Sequence, residues 1–152
     1  MFILNQVRSG KRVLSETNDS YLQSIEVSDM SDKKKILVMD DDQDILTSIQ
    51  VVLEAEGFDV TTALTGKAGL AAFNSDSFDF VLCDMMMEGV DSGANVAAEI
   101  RNKNKEIPVF LLSSITNATS ANTEIDQLGF NGYFQKPITP FELVEAIKKA
   151  LN

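Results

Sequence analysis

The run Lys35-Ile36-Leu37-Val38-Met39, closed by Asp40-Asp41-Asp42, constrains this chain more than any other stretch. Consecutive apolar residues, with β-branched Ile36 and Val38 among them, read as a short strand buried on both faces, the mark of a parallel sheet. Carboxylates this close oppose one another's ionisation. Their clustering at a strand exit therefore points to a cation or a function, alongside the plainer role of one Asp, Asp42, as a helix cap.

The rest of the sequence decides between these. At 152 residues the chain is one domain of ordinary size, 44% hydrophobic and 24% charged, with room for a real core. Thirteen basic residues against twenty-three acidic ones leave a formal charge of −10. That argues against a sequence-independent grip on nucleic acid or anionic membrane, which needs clustered Lys and Arg. Histidine is absent, so histidine-centred catalysis within this chain is excluded. The lone Cys83 has no disulfide partner and reads as a small buried residue in a reducing compartment. With no stretch as long as a membrane span and no signal peptide, the expected location is cytoplasmic.

Residues 1–32 are rich in serine, acid and amide side chains and read as a flexible leader with one short helix around 18–27. Beyond them the signals alternate. Ile45, Ile49, Val52 and Leu53 recur at helical spacing before Gly57, predicting a helix over 43–56. A strand over 58–63 follows by its Phe, Val and Thr content, then a helix capped by Thr65. A third strand over 78–83 ends in Asp84, a helix spans 94–101, and a fourth strand over 109–112 ends in Ser113-Ser114. The segment 119–128 is a weak helix anchored by Ile125 and Leu128, and a fifth strand covers 132–134. Thr139-Pro140-Phe141-Glu142 opens a last helix as a capping box. Five strands alternating with five helices predict a doubly wound α/β domain with a parallel sheet.

In such a sheet the working crevice lies beyond the carboxyl ends of the strands. Those ends carry Asp40 to Asp42, Asp84, Ser113 and Lys136. Each residue alone has an ordinary reading as a surface acid, hydroxyl or lysine. Their coincidence at four strand exits is what carries weight. Met85, Met86 and Met87 read as packing, since magnesium avoids thioethers.

These residues, in this order, resemble the receiver domain of bacterial two-component response regulators: the acidic pair after strand one, Asp84 after strand three, Ser113 after strand four, then Tyr133 and Lys136-Pro137. The resemblance covers residues 33–152 and implies a flavodoxin-like strand order 2-1-3-4-5 with helices on both faces. It implies that Asp84 accepts a phosphoryl group from a sensor histidine kinase or phosphotransfer protein, with Mg2+ as cofactor. Asp41 is then the direct metal ligand, Asp40 acts largely through water, and Asp84 and the Met86 carbonyl complete the metal set. Ser113 and Lys136 contact the phosphoryl oxygens, Ser113 and Tyr133 form the switch to a downstream protein target, and the Lys136-Pro137 bond is cis. The output is a protein contact, and the chain is a regulatory phosphoacceptor, stand-alone in type, with no nucleic acid or membrane partner. Where the family commonly has a Pro and a Gly after its acceptor, this chain has Glu88 and Ser92, with Gly93 one place later. The apolar Met86 and Ile115, which flank the approach of hydrolytic water, imply a long-lived phosphorylated state.

Two alternatives use overlapping residues. A haloacid dehalogenase-type aspartyl-phosphate hydrolase shares Asp40-x-Asp42, a later Ser and a later Lys. It departs at Asp44, where that family has Thr or Val, and at Pro137-Ile138-Thr139-Pro140, which replaces its acidic pair. Flavin mononucleotide binding on the same fold needs a phosphate loop after strand one, where a triple Asp would repel the phosphate.

Overall fold

A computed structural model describes residues 33–84, 92–114 and 125–152, with the backbone alone at 92 and 93. β1 (Lys35–Met39), β2 (Asp59–Ala63), β3 (Phe80–Asp84), β4 (Val109–Ser113) and β5 (Gly132–Gln135) form one sheet in the order β2-β1-β3-β4-β5. Every neighbouring pair is parallel, as expected. α1 (Gln43–Ala55), α2 (Gly66–Ser75), α3 (Ser92–Lys103) and α4 (Pro140–Leu151) are the helices whose full extent is described.

Alternation along the strands sorts the apolar side chains onto two faces. Ile36, Val38, Phe80 and Leu82 pack with Leu46, Ile49 and Leu53 of α1 and with Leu143 and Ile147 of α4. Leu37, Met39, Val81 and Cys83 pack on the other face with Val96, Ala97 and Ile100 of α3 and with Leu70 and Phe73 of α2. Helices therefore cover both sides, which explains why the central strands carry unbroken apolar runs.

The helix starts are set by their caps. Asp42 accepts hydrogen bonds from the amides of Asp44 at 2.9 Å and Ile45 at 3.4 Å, so it serves as the cap its position suggested. Thr65 accepts from Ala68 N at 3.0 Å, and Thr139 accepts from Glu142 N at 3.3 Å. The Thr139 hydroxyl also donates to Glu142 Oε2 at 2.6 Å, so this box closes through the side chain. Gly57, with φ +93°, ends α1 in a conformation that favours glycine.

Several limits differ from expectation. The strands expected from 58 and 78 begin at Asp59 and Phe80, and Asp84 belongs to β3 itself because it pairs with Leu112 of β4. α3 runs from Ser92 to Lys103, longer at both ends than the apolar positions alone required. Of the weak helix expected over 119–128, residues 125–127 are helical; 119–124 lie outside the described residues, as does the leader.

Gly69 shows how tightly α2 sits on β1. A Cβ there would lie 2.0 Å from Sδ of Met39, a side chain with no exposed surface. Gly to Ala inside a helix ordinarily gains about 1 kcal/mol. Overpacking a closed core costs about 1–3 kcal/mol, and a thioether caged on all sides has little room to yield. Gly69→Ala is therefore expected to destabilise by about 1 kcal/mol net in urea denaturation. A stabilised variant would show that Met39 can repack.

Candidate functional site

The sheet order reverses between β1 and β3, since the chain leaves β1 for β2 on one side and returns past it to β3 on the other. Their carboxyl ends place Asp40, Asp41 and Asp84 together at this reversal. One carboxylate oxygen from each falls within 4.8 Å of the others. Asp40 is fully buried, Asp84 is 6% exposed, and Asp41 faces solvent. β1 holds Asp40 through a ladder bond from its amide to Ala63 O, 3.1 Å.

The two oxygens of Asp40 do different things. Oδ1 accepts from Asp42 N at 3.0 Å and braces the acidic corner. Oδ2 has no hydrogen bond of good geometry, yet it lies 2.9 Å from Nζ of Lys136 as an ion pair. The same ammonium is 3.5 Å from Asp84 Oδ2. Burial pulls the Lys136 pKa down, but the close contact and charge of Asp40, joined by the charge of Asp84, outweigh it and leave the pKa raised.

Lys136 reaches the acids because β5 delivers it there. Its amide bonds to Ser113 O at 2.8 Å, and the Lys136-Pro137 bond is cis, as expected. Ser113 ends β4 and is buried. Tyr133 is half-buried on β5, packed against the core cluster that contains Leu111 and Cys83. Cys83, immediately before Asp84, is buried and its thiol pKa is pushed up to about 12 by burial first and then by the charges of Asp84 and Asp40. It is a packing residue with little thiolate to offer. Met86, Glu88 and Ile115 lie outside the described residues.

The donor set suits a hard cation. Three carboxylates converge, and neither sulfur nor imidazole is among them. Mg2+ is held by few carboxylates with waters retained, and Asp41, exposed at the mouth, leaves a side open to solvent.

A profile of the response regulator receiver domain matches residues 36–148. The chain belongs to the response regulator receiver family. Among relatives, the receiver resembles the alkaline phosphatase synthesis transcriptional regulatory protein PhoP of Bacillus subtilis (strain 168), 32% identical over 78% of this chain and 49% of PhoP. It also resembles the response regulator SaeR of Staphylococcus aureus (strain USA300), 33% identical over 77% of this chain and 50% of SaeR. The chain thus spans about half the length of these curated relatives.

Solved structures agree with the fold. A CheY-like receiver domain protein from Methanospirillum hungatei JF-1 superposes with TM-score 0.72 at 28% identity, covering 78% of this chain and 94% of that one. The response regulator TrrA of Thermotoga maritima, in complex with Mg2+ and BeF, superposes with TM-score 0.68 at 34% identity, covering 78% and 99%. The flavodoxin-like architecture expected from the resemblance is therefore the one observed. No helix among the described residues is long and apolar enough to cross a membrane.

Sequence reasoning missed one group. Arg101 on α3 and Asn131 before β5 form a polar hub at the opposite edge of the sheet, and no linear pattern marks it.

Proposed function

We propose that this receiver is a phosphoacceptor switch of a two-component phosphorelay, with Asp84 as the acceptor. The observation that carries this reading is the convergence of Asp40, Asp41 and Asp84 with the Lys136 ammonium set against two of them. In the transfer, the N–P bond of a phosphohistidine on a partner kinase or phosphotransfer protein breaks as an O–P bond to Asp84 forms. The histidine leaves as imidazole. Asp41 and Asp84, with Asp40 acting largely through water and the Met86 carbonyl as a further ligand, would hold Mg2+, which would supply positive charge against the phosphoryl oxygens.

The chain's own residues do the rest. Lys136 is a point charge that can leave Asp40 for a phosphoryl oxygen. Ser113 lies at the next strand exit, where its hydroxyl can donate to another oxygen. Drawing Ser113 inward leaves space behind it for Tyr133, which couples the site to a protein-binding face. Phe141, 75% exposed, borders the groove that Tyr133 lines and offers an apolar contact to a downstream target.

Residues 33–152 form the receiver and residues 1–32 a leader outside it, in a cytoplasmic protein. PhoP is named as a transcriptional regulator, whereas the acid excess of this chain makes its own surface a poor match for nucleic acid phosphates. Nothing in the geometry favours the hydrolase reading.

Incubation with acetyl phosphate and Mg2+ is expected to place one phosphoryl group on Asp84, seen by intact mass and peptide mapping, and Asp84→Asn is expected to abolish it. A phosphoryl group on Asp40, with turnover of small phosphate esters, would overturn the assignment in favour of the hydrolase.

A further inference from the structure

β5 is an edge strand of four residues, bonded only to β4 among the described strands, yet it must present Lys136 at a fixed place. Its first residue gives it no side-chain anchor. A Cβ on Gly132 would stand 2.8 Å from the Phe110 ring, so glycine is needed there and packs nothing of its own. The strand is instead fastened by Asn131, immediately before it. The Asn131 amide donates to Val109 O at 2.7 Å, and its Oδ1 accepts from Val109 N at 2.8 Å.

Arg101 of α3 completes the fastening. Its guanidinium donates to Asn131 Oδ1 at 2.5 Å, to Gly129 O at 2.9 Å and to Ile107 O at 2.6 Å. One side chain thus ties α3, the segment leading into β4 and the segment leading into β5. Gly129, with φ +92°, brings its carbonyl to this hub, and a Cβ there would press on Arg101 Cγ at 3.2 Å. Five residues further along an extended chain, roughly 17 Å away, Lys136 N bonds to Ser113 O at 2.8 Å. β5 is a strut pinned at both ends.

We propose that Arg101, acting through Asn131, is a positioning residue that holds β5 in place and thereby sets Lys136 against Asp40 and Asp84. The functional consequence rests on the receiver reading above, but the test reads stability and amide exchange alone, so the two can fail separately.

The experiment is a double-mutant cycle between Arg101→Leu and Lys136→Met by urea denaturation of the full chain without Mg2+. Independent sites this far apart multiply in the unfolding equilibrium constant to within about twofold. Coupling through β5 is expected to make the product fail by about fivefold or more. Arg101→Leu paired with Ile49→Ala, on the other face of the sheet, is expected to multiply. Native-state hydrogen exchange is expected to quicken at the Phe134 and Lys136 amides, which face β4, by about tenfold relative to those of β1. Asn131→Asp, which keeps the acceptor oxygens, is expected to behave like the parent. Asn131→Leu is expected to reproduce Arg101→Leu, and it serves for both measurements should the latter fail to fold. A cycle that multiplies, or exchange that rises equally in β1 and β5, would overturn the proposal.

Discussion

Lys136→Met is expected to destabilise the fold by about 3 kcal/mol in the absence of divalent cations, as well as to impair phosphoryl uptake. Methionine keeps most of the apolar stem and removes the charge. What remains is Asp40, fully buried, with an oxygen that has no hydrogen bond and no other cation near it in the ion pairs of the described residues. Breaking a buried pair from one side costs roughly 3–5 kcal/mol because a charge is stranded. Lys136 itself is 21% exposed, so water can partly replace it and the low end applies. Asp40→Asn is expected to cost clearly less, since Lys136 keeps Asp84 and its route to solvent. This asymmetry is the informative part of the comparison.

The pH dependence has a definite sign. The folded pKa of Lys136 is raised above the ordinary 10.5. Its contribution is therefore complete below 10.5 and is lost only as pH rises through the folded value. The stability gap between parent and Lys136→Met is expected to stay flat from about pH 6 to about pH 9 and to narrow only in strong alkali. Urea denaturation across that range measures it. A loss under about 1 kcal/mol at neutral pH would show that Asp40 does not depend on this lysine.

Mg2+ is expected to raise the melting temperature, and Asp41→Ala to remove most of that rise. A cation that binds only the folded state stabilises by about 2.7 kcal/mol at a hundred times its dissociation constant. For a domain of this size that corresponds to several degrees, at roughly 2–8 °C per kcal/mol. The folded cluster offers a further gain, because a divalent charge relieves repulsion among carboxylates whose oxygens lie within 4.8 Å. Asp41 is the cleanest variant. It is exposed, so its removal leaves the core intact, whereas Asp40 is part of the buried ion pair. Thermal scans of the parent and Asp41→Ala in EDTA and in millimolar Mg2+ make the comparison, and equal responses would remove Asp41 from the metal set.

The parallel sheet with helices wound around it was legible because the pattern is local and repeated, whereas the strand order came only from the family resemblance. Ile36 to Met39 and Phe80 to Cys83 are apolar on successive residues, as a strand covered on both faces requires, and Gly57, Thr65 and Thr139 mark helix limits by turn and cap chemistry. The residues of the site were legible for a related reason. A parallel sheet collects strand exits at one edge, so Asp40, Asp84, Ser113 and Lys136 could be brought together from topology alone.

The sequence by itself therefore determined the fold class, strands covered on both faces and which strand exits carry acids, a hydroxyl and a lysine at the carboxyl edge. It could not rank the three adjacent aspartates. Burial separated Asp41, turned outward, from Asp40, the buried partner of Lys136, while the amides of Asp44 and Ile45 hold Asp42 as the cap its position suggested. Nor could it show that a glycine in α2 is required by a methionine of β1, or that Arg101 closes on Gly129, Ile107 and Asn131. Apart from Arg101 with Ile107, those contacts join residues far apart in the chain, and no periodicity or local propensity encodes a distance that exists only once the sheet has brought its elements together.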